Sequence, residues 1–146
     1  MKHNCILILS GLLVASLGIA EDKAEVTVKS MPPSVIKTIP QAGDTKVDPS
    51  LKEIHVTFSK DMLTNKMWSW CSQSPETFPE IDKPKIRYLE DKRTCVLPVK
   101  LTPGKTYVIW INSQQYNAFR DTENNPAIPY LLVFETSRLN TTRTGQ

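Results

Sequence analysis

LTPGKTYVIWIN, residues 101–112, joins a proline-glycine corner to a tyrosine and then to an unbroken apolar strand. Side chains alternate across a strand. Tyr107, Ile109 and Ile111 therefore point to one side, Val108 and Trp110 to the other. The corner residues have separate jobs. Pro103 presets φ, Gly104 permits a left-handed backbone, and Leu101 plugs the core. In sandwich domains a tyrosine at the start of a late strand buries its ring and returns its hydroxyl to the backbone of the preceding corner. Tyr107 stands where that role is expected. A strand apolar on both faces is central in its sheet. One face meets the core; the other lies under a loop or forms an exposed patch. The loop that carries Tyr116 and Phe119 is the expected cover for Val108 and Trp110.

Outward from this strand the same grammar repeats. In LKEIHVTFSKDM, residues 51–62, Ile54, Val56 and Phe58 alternate with Glu53, His55 and Thr57, the pattern of a half-buried strand. MWSWCSQ, residues 67–73, places Trp68 and Trp70 on one face, so the two share a fate, and core is the expected one. KIRYLEDKRTCVLPVKL, residues 85–101, reads as a hairpin around the polar EDKR. Two prolines open a short strand in PPSVIKTIP, residues 32–40, and Pro40 closes it. SPETFPEIDKP, residues 74–84, reads as proline-rich loop. YLLVFETS, residues 130–137, is the last strand. About seven short strands with Pro, Gly, Asn and Asp punctuation, and no sustained helical period, predict an all-β chain. The architecture expected is an immunoglobulin-like antiparallel β-sandwich.

The chain has 146 residues, enough for one domain. Its first twenty, MKHNCILILSGLLVASLGIA, have a lysine near the start, an apolar run and small residues at Gly18 and Ala20. That is the layout of a secretory signal peptide cleaved after Ala20. The run is short for a membrane span and no basic stop-transfer cluster follows, so no span is expected after cleavage. Residues 21–31 read as a linker or frayed arm, 32–137 as the Ig-like domain, and 138–146 as a polar tail. With 18 basic and 15 acidic residues, the charge is near balance. A nucleic-acid partner, which calls for a clustered basic face, is not expected. Standing alone after its leader, the domain is expected to bind rather than to space other domains, and to be a monomer.

Three stretches carry a family resemblance. They are PPSVIKTIPQAGDTKVDPSLKEIHVTFSKDM, LTPGKTYVIWIN and AFRDTENNPAIPYLLVFET. Their order and spacing resemble the bacterial Ig-like domains of the S-layer-protein (SbsA) type, over residues 32–137. One departure is Asn124, where glycine is usual; Asn tolerates the left-handed backbone. The resemblance implies a non-enzymatic structural or binding module of the bacterial cell envelope, with no shared catalytic site and no cofactor.

Several constellations invite sharper readings. Export makes a disulfide between Cys71 and Cys95 chemically possible; a buried free thiol for each is the alternative. Cys95 alternates with Leu97, Val99 and Leu101 and should face the core. The oxygen-rich RDTENNP, residues 120–126, supplies too few ligands for calcium and reads as an Asx turn. His55 is the one histidine outside the leader, on a polar strand face where it is expected to meet solvent; no motif supplies the nucleophile or carboxylate that catalysis would want positioned next to it. No catalytic or metal residue is predicted. Small periplasmic copper carriers share a related sandwich, but they want a histidine at the mature N-terminus, where Glu21 stands. Asn140-Thr-Thr142 matches a glycosylation acceptor, which the bacterial resemblance discounts. The candidate binding surface is Trp110 with Val108, Tyr116, Trp68 and Trp70. Its partner would be a protein or an envelope polysaccharide, the latter making the chain a carbohydrate-binding module.

Overall fold

A computed structural model describes residues 25–138, and eight strands lie among them. They are β1 (Val35–Ile39), β2 (Glu53–Phe58), β3 (Trp70–Ser72), β4 (Glu80–Ile81), β5 (Arg87–Tyr88), β6 (Thr94–Lys100), β7 (Thr106–Ile111) and β8 (Tyr130–Glu135). One 3-10 turn, Pro75–Thr77, lies between β3 and β4. The expected leader, residues 1–20, lies outside the described residues, as do Asn140-Thr-Thr142 and the rest of the tail beyond Arg138. Among the described residues no helix is long and apolar enough to cross a membrane.

The strands form two antiparallel sheets, as expected for the immunoglobulin-like sandwich. One runs β1-β2-β6, with β4 and β5 both pairing the far side of β6; the other runs β3-β7-β8. The count exceeds seven because SPETFPEIDKP is not all loop. Glu80 and Ile81 pair Lys100 and Val99 as β4. Two residues suffice, since β6 supplies a ready-made ladder.

The core lies between the sheets. Ile54, Val56 and Phe58 face it from β2, and Cys95, Leu97 and Val99 from β6. Tyr107, Ile109 and Ile111 face it from β7, and Leu132 and Phe134 from β8. Alternation on β2 and β7 agrees residue by residue with the expected inward set. Burying each such side chain stabilises the fold by about 1.5–3 kcal/mol.

β6 departs from simple alternation, because its residues from Thr94 to Val99 are buried on both faces. On the outer face Val96 pairs His55 on one side and Arg87 on the other. Directly paired residues share a face, so His55 and Arg87 flank it. Glu53 accepts hydrogen bonds from both, Arg87 Nη2 at 3.0 Å and His55 Nε2 at 3.1 Å. The outer edge of β8 is also covered. Gly43 N–H donates to Val133 O and Glu135 N–H to Asp44 O, both at 2.7 Å.

Candidate functional site

The corner that opens β7 is built as its residue types dictate. Gly104 has φ +66°, a left-handed value that a side chain resists. Its N–H donates to Ser137 O at 3.0 Å. Tyr107 is buried, stacked on Phe134 with ring centroids 5.3 Å apart. Its hydroxyl accepts the Thr102 N–H at 2.7 Å. The Thr136 hydroxyl donates to Thr102 O at 2.6 Å and accepts the Lys105 N–H at 3.0 Å, closing the corner against the end of β8. Leu101 sits in the core at the base of the corner, and Pro103 is half-buried on its rim. These residues frame the sheet.

The outer face of the three-stranded sheet is apolar. Cys71 pairs Trp110, which pairs Leu131, and Val108 pairs Val133. All five share that face. The expected cover does not form. Phe119 does not lie over Val108 and Trp110; it is fully buried between the sheets. There it sits 5.0 Å from the Phe58 ring and 5.5 Å from that of Trp70. Tyr116 stays 59% exposed, and Val108 and Trp110 are half-exposed. The reason is the buried amide of Asn112. Its Nδ2 donates to Phe119 O and Ala127 O, and its Oδ1 accepts Phe119 N–H, each at 3.0 Å. These bonds draw the loop after β7 inward over the end of the sandwich.

Four of the five candidate residues meet at one cleft. Trp68, Trp70, Trp110 and Tyr116 line a hollow of about 690 Å³ along the β3 edge, with Phe78 and Ile86 opposite. Val108 lies outside it, farther along the sheet. Trp70 turns toward the core, and Trp68 packs on the same cluster just before β3 begins. Both are half-buried, so the pair does share one fate, at the margin of the core. The Trp70 indole N–H is buried without a hydrogen-bond partner; its contact with the Cys95 sulfur, a weak acceptor, falls short of a full bond. Trp110 Nε1 donates to Gln73 Oε1 at 2.9 Å, holding the indole over the outer face. No Asp, Glu, Lys or Arg lines this cleft.

The disulfide option does not hold: both cysteines are free. They lie in different sheets, Cys71 on an outer face and Cys95 toward the core. Burial pushes the Cys71 thiol up, against a contact with the Ser113 hydroxyl. Burial pushes Cys95 up to about 12. His55 is not simply solvent-facing, being bonded to Glu53. Among the described residues no three His, Cys, Asp or Glu side chains stand close enough together to hold a metal.

The oxygen-rich loop is an Asx turn. Asp121 Oδ1 accepts the Glu123 and Asn125 N–H groups at 3.0 and 2.8 Å, and Asn124 has φ +67°. Its other oxygen pairs with Lys60, a residue the sequence did not single out. Lys60 Nζ also donates to three carbonyls of the N-terminal arm: Val28 at 3.1 Å, Lys29 at 2.9 Å and Met31 at 2.6 Å. The described part of the arm is therefore tied to the domain. Burial would raise the Asp121 carboxyl, but Lys60 and the Asn125 donors outweigh it and hold it below the usual carboxylate range.

Comparison with known families adds to this geometry. The family model for a bacterial Ig-like domain matches residues 29–136. No curated protein matches the chain significantly.

Proposed function

Because the chain belongs to the bacterial Ig-like domain family, we propose that it is an exported, non-enzymatic binding module of the cell envelope. Such domains are generally non-catalytic and often extracellular or surface-associated. The leader-like residues 1–20 support export. The order of the proline-led strand, the L-x-P-G-x-x-Y corner and the closing F-x-T supports the S-layer type within the family.

The observation that carries the binding reading is the aromatic cleft. Trp110 and Tyr116 converge on it from outside the core, and Trp68 reaches it from the core's margin. Aromatic side chains in a concave site are what binding surfaces concentrate. An acid, base or nucleophile set converging on a reacting atom, which catalysis requires, has no counterpart among the residues lining it.

A pull-down tests the reading. Tagged chain from residue 21 onward is exposed to envelope extract and insoluble polysaccharide, beside a Trp110→Ala copy. Capture by the native chain and loss with the variant is the expected result. No capture, or equal capture by both, would refute binding through this cleft.

A further inference from the structure

The aromatic cleft does not end at the sheet edge. Trp68 and Ile86 also line a second hollow of about 530 Å³, so the two adjoin at these side chains. The halves differ in charge. The first has no charged lining. The second is lined by Lys66, Lys85, Arg87 and Lys92 against a single acid, Glu90. Across the chain, basic and acidic residues number 18 and 15, so this excess is local. Lys66, Lys85 and Lys92 are exposed. Arg87 is neutralised by Glu53, to which its Nη2 donates at 3.0 Å on the outer face of the five-stranded sheet, so the cations left for a ligand in this half are the three lysines. Tyr88, on the floor, donates its hydroxyl to Met67 O at 2.9 Å, which holds the ring in place.

We propose that these adjoining hollows bind an acidic polysaccharide. Its sugar rings lie on Trp68, Trp110 and Tyr116, and its anionic group lies among Lys66, Lys85 and Lys92. The proposal rests on the reading of the cleft as the binding surface and names the ligand. Apolar ring faces suit the aromatic side chains. Hydroxyls suit the neutral donors and acceptors of Ser113, Gln73 and Gln115 on the rim. The cationic half supplies charge complementarity. A nucleic-acid strand is disfavoured, because a phosphate on every nucleotide would lay charge along the uncharged half. A saccharide with an acidic group on alternate rings does not.

Tryptophan fluorescence titration tests this with four probes: hyaluronate, carboxyl-reduced hyaluronate, poly(dT) and polyglutamate. Hyaluronate is expected to bind at least about tenfold more tightly than the other three. Trp68→Ala should weaken it about tenfold, roughly the worth of one well-packed aromatic contact. The double variant Lys66→Gln/Lys85→Gln, both positions exposed, should weaken it at low salt and converge with native protein as salt screens the charges. Equal binding of the reduced polymer would overturn the acidic ligand. Equal binding of polyglutamate or poly(dT) would overturn the saccharide, and no binding of hyaluronate would overturn the proposal. An envelope partner still captured through Trp110 in any of these cases leaves the cleft a binding site. Loss of that capture as well removes both readings.

Discussion

Replacing Lys60 with methionine keeps the aliphatic stem and removes the charge. Lys60 is 14% exposed and Asp121 1%, so their pair is almost out of solvent. Breaking a buried pair by removing one partner costs about 3–5 kcal/mol, because the remaining charge is stranded. Asp121 keeps its donors from Glu123, Asn125 N–H and Asn125 Nδ2, which places the cost near the lower end, ~3 kcal/mol. The three arm carbonyls are exposed and can turn to water, so they add little. At about 4 °C per kcal/mol for a domain of this size, the melting point should fall by ~12 °C. Urea unfolding followed by tryptophan fluorescence measures the change, and trypsin should cut after Lys29 faster in the variant. The sign with pH follows from Asp121. Its folded carboxyl is held below the ordinary value, so the stabilisation is present above about pH 4. It is lost as pH falls through the folded pKa. The gap between native and variant should therefore shrink in acid. A loss under about 1 kcal/mol at neutral pH, or a gap that is flat with pH, would refute the buried-pair account.

Tyr107→Phe leaves the Thr102 N–H without its acceptor and should cost about 1 kcal/mol or more; equal thermal midpoints would sink the corner assignment. Phe119→Ala empties the space between Phe58 and Trp70 and should cost about 3–5 kcal/mol, read by chemical denaturation, where a change below that of an exposed Tyr116→Ala control would contradict its buried placement. In chain lacking residues 1–20, a maleimide should label half-exposed Cys71 and spare Cys95 until unfolding; equal rates would contradict the opposite faces assigned to them.

Fold was readable where one local rule decided it. Period-two alternation placed Ile54, Val56 and Phe58 inside, and the Pro103-Gly104 turn located the start of β7. The structure adds that Tyr107 closes back on Thr102, five residues away in the chain. β4 is not legible because two residues carry no period; only the neighbouring β6 makes Glu80 and Ile81 a strand. The layer that Phe119 occupies is not legible for a similar reason. Its loop has no alternation to read, and the deciding force is the Asn112 amide, which must find three backbone partners once it is buried.

The sequence by itself determined the all-β class, the inward set of the long strands, and which aromatic residues were candidates for contact. These follow from side-chain periodicity and turn chemistry, which act over a few residues. Tertiary structure alone decided which residues from distant segments meet. It joined Trp68, Trp110 and Tyr116 at one cleft and left Val108 outside it. It set Lys60 against Asp121 and the N-terminal arm, and placed Cys71 and Cys95 on different sheets. Such meetings depend on how strands order within sheets and how loops close over the ends. That order is settled by burial and hydrogen-bond satisfaction across the whole domain, which no local pattern records.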